Sequence, residues 1–107
     1  MNRFSYDQRR AIYNKALLHY GLDNQLNVAI EEMSEVVKAI TKLKRAKNGN
    51  GNFADCVADL TEEIADATIM LEQLRLFFAI NDDVCEAIDA KVERLKTRIE
   101  SATKKEQ

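Results

Sequence analysis

"IEEMSEVVKAI", from Ile30 to Ile40, and "TEEIADATIMLEQL", from Thr61 to Leu74, together decide how this chain folds. Around the first, Leu26, Ala29, Ile30, Met33, Val36, Val37 and Ile40 return every three or four residues, the period of an amphipathic helix. Glu32 and Glu35 sit three apart and border that apolar stripe instead of facing away from it. Glu63 and Asp66 repeat the arrangement in the second stretch, in line with Met70 and Phe77.

Outward from these two segments, the chain has no proline and only three glycines, Gly21, Gly49 and Gly51, so little interrupts helix. A first helix is expected after Ser5, which forms a capping-box pattern with Gln8, and is stopped near Tyr20 by Gly21. The second starts near Asp23 or Asn24 and runs to about Leu43. The loop "NGNGNF" (Asn48 to Phe53) follows and reads as flexible. A third helix is expected from Ala54 to Ile80. A fourth follows the cap "NDD" (Asn81 to Asp83), carrying Val84, Ile88, Val92, Leu95 and Ile99 before a frayed tail over 102–107. Short connections between four helices predict an all-α, four-helix bundle-like protomer forming one domain over 1–107. The third helix shows two apolar faces, one with Leu60, Ile64, Ala67, Leu71, Leu74 and Phe78, the other with Ala65, Ile69, Leu76 and Ile80. A helix apolar on two sides is covered on two sides, and a second copy is the simplest second cover.

The 107 residues are 46% hydrophobic and 32% charged, enough to bury a core in one small domain. A formal net charge of −2 supplies no basic face, which argues against a nucleic-acid binder. Cys56 and Cys85 form no CxxC and read as small buried hydrophobes in a reducing compartment. The start "MNRFSYDQRR" has no apolar signal core and no run of 18 apolar residues occurs, so a soluble, cytoplasmic chain without a membrane partner is expected.

A carboxylate at the edge of a buried face is costly unless something compensates it. A lone ExxE is common on exposed helices. Two such pairs on consecutive helices, both bordering the apolar side, point to a shared cation. Oxygen donors suit Mg²⁺ or Mn²⁺, whereas zinc would want His or Cys. The di-iron carboxylate bundle needs Glu-x-x-His from two helices, and His19, the sole histidine, belongs to no such motif. Magnesium held by a few carboxylates keeps positions open for water and phosphate oxygens, which points to phosphate-ester or phosphoanhydride chemistry.

"QLNVAIEEMSEVVKAITK" (Gln25 to Lys42) followed by "DLTEEIADATIMLEQL" (Asp59 to Leu74) resembles the MazG-like family of all-α nucleoside triphosphate pyrophosphohydrolases. The family pattern, EExxE, a variable loop, then ExxD, falls on Glu31, Glu32 and Glu35 and on Glu63 and Asp66. "AKVERLKTRI" (Ala90 to Ile99) is similar to the basic fourth helix, and "YGLDNQ" (Tyr20 to Gln25) to the small phage and bacterial members. The resemblance implies hydrolysis of an NTP or dNTP to the monophosphate and pyrophosphate, and a homodimer or homotetramer. It implies Mg²⁺ held by Glu32, Glu35, Glu63 and Asp66, with Glu32 or Glu35 also acting on the attacking water. Phosphates not held by metal would fall to Lys91, Arg94 and Arg98, then to Lys42 and Arg45. Base or sugar contacts would fall to Gln25, Asn24 and Tyr20, with Tyr6, Tyr13 and Phe53 as further aromatics.

Two departures leave base and sugar preference open. Leu95 stands where several dNTP-specific relatives carry asparagine, and the chain has no tryptophan to stack a base. Two other readings stand beside the leading one. A phosphoribosyl-ATP pyrophosphohydrolase would share fold and carboxylates but shows a fuller set of basic helix-end residues. A catalytically idle helical oligomeric adaptor would use the acids only for assembly.

Overall fold

The computed structural model describes residues 3–106 as four helices: α1 (Tyr6–Tyr20), α2 (Leu22–Lys47), α3 (Phe53–Phe77) and α4 (Asn81–Glu106). No strand occurs among the described residues, so the all-α class and the number of helices are as the sequence predicts. The chain divides into two compact units, Met1–Phe77 and Phe78–Gln107. No helix among the described residues is long and apolar enough to cross a membrane.

The boundaries follow local chemistry. Ser5 Oγ accepts from the Gln8 N–H at 3.1 Å while the Gln8 side chain accepts from the Ser5 N–H at 2.7 Å, so both halves of the capping box form. Gly21 is the whole connection between α1 and α2. Its N–H donates to the Leu17 carbonyl at 2.9 Å, and its own carbonyl receives the Gln25 N–H at 3.1 Å. At φ 85°, ψ 155° it holds a conformation essentially reserved for glycine, and this lets α2 start at Leu22, before Asp23 and Asn24.

α2 also runs four residues beyond Leu43, ending where the Asn48 and Asn50 N–H groups return to the Arg45 carbonyl. Asn52 caps α3, its Oδ1 accepting from the Asp55 N–H at 3.0 Å, so that helix starts at Phe53. α3 ends at Phe77, three residues short of the expected Ile80, and Ala79 follows with a φ of 54°. α4 continues to Glu106, through most of the segment read from sequence as a tail; Gln107 lies outside the described residues.

In the first unit α2 and α3 form an antiparallel hairpin. Gln25 near the start of α2 meets Gln73 near the end of α3, and the Lys42 carbonyl near the end of α2 meets Cys56 Sγ at 3.8 Å near the start of α3. The buried apolar residues are few and mostly small: Ala29, Ala39, Ala46, Ala67, Met70 and, from α1, Tyr13. Small residues at a helix contact let the backbones approach. Cys56 is half-buried, whereas Cys85 is exposed, contrary to the reading of both cysteines as core residues.

The stripe on each helix that turns inward differs from the one apolar periodicity selects. On α2, Leu26, Met33 and Val36 are half-buried beside Ala29, but Ile30 is 66% exposed and Val37 63% exposed. On α3, Leu60, Glu63, Ala67, Met70, Leu74 and Phe77 are turned inward, whereas Ile64 and Leu71, expected on the same face as Leu60, are exposed. Both helices are rotated towards their acidic margins. Part of the second apolar face of α3, Ala65 and Ile69, lines a cavity of about 440 Å³ with Ile12 and Tyr13 of α1. A helix of the same chain thus meets part of that side, while Ile69 stays 42% exposed.

Candidate metal centre

The rotation of α2 and α3 brings carboxylates from both helices together. One oxygen from each of Glu32, Glu63 and Asp66 lies within 4.8 Å of the others. Glu32 and Glu63 are half-buried and Asp66 is exposed, so the cluster has a covered side and an open side. Removal from water holds the Glu32 carboxyl above its ordinary range, and the charges of Asp66, Glu63, Glu31 and Glu35 push it in the same direction. Glu31 and Glu62, one residue before each acidic pair, are exposed.

The donor set suits a small hard cation. Magnesium–oxygen bonds of about 2.0–2.1 Å in an octahedron place ligand oxygens about 3 Å apart when adjacent and about 4 Å apart when opposite. Three protein oxygens would leave half of an octahedron for water or a phosphoryl oxygen. No histidine or cysteine joins the cluster, which disfavours a structural zinc site.

Glu35 stands outside this trio. Its Oε1 accepts from Lys38 Nζ at 3.3 Å, and the two side chains border a small hollow of about 80 Å³ with Lys42, Asp59 and Glu63. Of the residues assigned to phosphate from the sequence, Lys42 is therefore the one beside the carboxylates in this unit. Arg45 lies exposed at the end of α2. Lys91, Arg94 and Arg98 are exposed on α4, in the second unit.

The residues assigned to base or sugar fall into different environments. Gln25 is buried, and its Nε2 donates to Gln73 Oε1 at 2.8 Å, so it serves the interior of the hairpin. Asn24 and Tyr20 are exposed at the α1–α2 corner, where the Tyr20 ring meets His19 edge-on with centroids 4.6 Å apart. Tyr6 and Phe53 are exposed, and Tyr13 is buried.

One polar group was not anticipated from the sequence. Glu72 on α3 accepts from the Tyr13 hydroxyl and from Arg9 Nη1, the latter at 3.1 Å, tying α1 to α3. Burial, reinforced by the hydrogen bond to Glu72 and its charge, pushes the Tyr13 phenol up to about 12, with Arg9 opposing. The sequence signal was Glu72 and Gln73 standing inside the apolar run Ala67 to Phe78, where each needs a partner.

Compared with protein-family models, with curated proteins and with solved structures, the chain finds no match in any of the three.

Proposed function

We propose that the chain is a magnesium-dependent nucleoside triphosphate pyrophosphohydrolase of the MazG-like kind, converting an NTP or dNTP to its monophosphate and pyrophosphate. The observation that carries this reading is the convergence of Glu32, Glu63 and Asp66 from two helices. Its weight comes from what the packing leaves outside: Glu32 and Glu63 are half-buried while Ile30, Val37, Ile64 and Leu71 remain in solvent. Apolar burial alone would have turned those four inward. That the hairpin half-covers two acids beside Leu26, Leu60 and Leu74, while other apolar side chains stay outside, supports a role for the acids.

Bound there, Mg²⁺ would supply Lewis-acid polarisation of phosphoryl oxygens and offset the charge of both the carboxylates and the triphosphate. Glu32, Glu63 and Asp66 would hold the ion. Glu35, one turn from Glu32 and outside the trio, would orient the attacking water and accept its proton. Water adds across the phosphoanhydride bond between the α- and β-phosphoryl groups: its oxygen bonds to one phosphorus, the bridging oxygen departs with the bonding electron pair on the other fragment, and monophosphate and pyrophosphate separate. Lys42 would meet the phosphates from the hollow beside Glu35; Lys91, Arg94 and Arg98 remain candidates on α4. Such an activity would clear or balance nucleotides, in a cytoplasmic protein. Copies of the chain would associate as a homodimer or homotetramer, covering the exposed apolar residues.

Pyrophosphate release from a panel of NTPs and dNTPs, with and without Mg²⁺, tests the reading. Metal-dependent release, lost in Asp66→Asn with the helical fold retained, is the expected result. Release by no nucleotide from folded, metal-supplied protein would leave the exposed apolar surfaces as the main functional feature, and with them the helical adaptor.

A further inference from the structure

We propose that α4 pairs antiparallel with α4 of a second copy of this chain, through a seam of Ile88, Val92, Leu95 and Ile99. This specifies a surface for the self-association proposed above and rests on that part of the reading alone; neither metal binding nor hydrolysis is needed. The helix runs 26 residues, and every described side chain from Cys85 to Lys104 is exposed. Ile88 is 44% exposed and Val92, Leu95 and Ile99 are each above half. Their spacing of four, three and four is the 3.5-residue period of a coiled-coil seam, and Cys85 and Ala102 continue it at either end. Such a stripe fits another helix carrying the same period.

Val92, Leu95, Lys96 and Ile99, at positions i, i+3, i+4 and i+7, border a shallow, open depression on the helix face, with Glu100 at its edge. That diamond is the four-residue hole into which a coiled-coil side chain inserts. With Val92 opposite the partner's Leu95 and Ile88 opposite the partner's Ile99, the hole receives the partner's Val92.

Charges beside the seam select the direction. Antiparallel, Asp89 lies beside the partner's Lys96 and Lys96 beside the partner's Asp89, while Lys91 faces the partner's Arg98 on the other edge. Parallel, Lys91 would lie beside the partner's Lys96 on both edges, and no opposite-charge pair would form. Both directions therefore contain two like-charge contacts, and only the antiparallel one contains two attractive pairs.

Sedimentation of the full chain over a concentration series tests this, with circular dichroism confirming helix content. Asp89→Lys and Lys96→Asp should each weaken the dimer about tenfold, since each converts two attractive contacts into two repulsive ones. The double variant Asp89→Lys/Lys96→Asp should return to near wild type. An equimolar mixture of the two single variants should form the heterodimer in preference to either homodimer. A wild-type chain that stays monomeric would overturn both the self-association and the surface. A dimer indifferent to either single substitution would overturn the α4 surface while leaving self-association standing. Single variants that weaken the dimer without rescue in the double variant or the mixture would overturn the antiparallel pairing.

Discussion

Gln25 of α2 donates from Nε2 to Oε1 of Gln73 on α3 at 2.8 Å, with both side chains only 5% exposed. Two turns along the same hairpin, Glu32 meets Asp66 and Glu63. The amide pair fixes the register in which the carboxylates meet, because any slip would leave two buried amides without partners. Gln25→Leu alone is expected to destabilise the protein by about 1–3 kcal/mol by orphaning Gln73. Gln25→Leu/Gln73→Leu should recover much of that loss, since both buried polar groups are then gone. Urea unfolding of the two single variants and the double variant measures the coupling.

Glu32 should make the metal-free protein less stable as pH rises. Its carboxyl titrates above the ordinary value of 4.5 in the folded chain, so the folded state holds the proton more tightly than the unfolded state. Stability conferred by that proton is present below the unfolded value and is lost as pH climbs through the raised folded value. Glu32→Gln removes the effect, and the metal-free variant should melt above wild type at pH 7.

Magnesium should act in the opposite sense on the same residues. If only the folded chain binds it, Mg²⁺ at a hundred times its dissociation constant adds about 2.7 kcal/mol of stability. A thermal melt of wild type should move upward with Mg²⁺, whereas Glu32→Gln and Asp66→Asn should show little shift. Equal shifts in all three proteins would place any magnesium elsewhere.

Tyr13 gives a second pH dependence. With its phenol raised from 10.0 to about 12, the folded state favours the neutral form. The stabilisation is complete below pH 10 and is lost as pH rises towards 12. At neutral pH, Tyr13→Phe is expected to cost about 1.5–3 kcal/mol through the lost hydrogen bond to the Glu72 carboxylate. That difference should shrink in alkali, and the wild-type-minus-variant absorbance titration should place the phenol near 12.

Two corner residues should respond to substitution with opposite signs. Gly21 has open space around a built Cβ, so Gly21→Ala meets only backbone strain at φ 85°, of about 1–3 kcal/mol. Ala79 already occupies a left-handed φ of 54° after α3, where an L side chain costs about 1–2 kcal/mol. Ala79→Gly relieves this against a larger unfolded-state entropy and should stabilise by about 0.5–1 kcal/mol. Denaturant midpoints of the two variants test both signs.

The elements that were legible in the sequence were those set by neighbours along the chain. Ser5 and Gln8 cap each other within one turn, and Gly21 stops α1, because these are short-range hydrogen bonds and backbone sterics. Asn52 is of the same kind, but its place in the glycine-rich run "NGNGNF" made it read as loop. Glu32, Glu63 and Asp66 were legible as candidates because three-residue spacing puts each pair on one helix face. That Glu35 falls outside the trio depends on how far α2 is rotated against α3, and spacing within one helix does not encode that angle; its pairing with Lys38, three residues on, is local to α2.

The sequence by itself determined that this chain is helical, where α1 begins and ends and, to within a residue or two, where α2 and α3 begin, and which acids lie beside an apolar stripe. These are consequences of helical periodicity and local capping. Only the tertiary structure decided which side of each stripe turns inward: Glu32, Glu63 and Ala67 are covered, and Ile30, Val37, Ile64 and Leu71 are not. The reason lies between helices. Alanine contacts between α2 and α3, the Gln25–Gln73 pair and the Tyr13–Glu72–Arg9 cluster each join residues distant in sequence, and together they set a rotation that no single helix specifies.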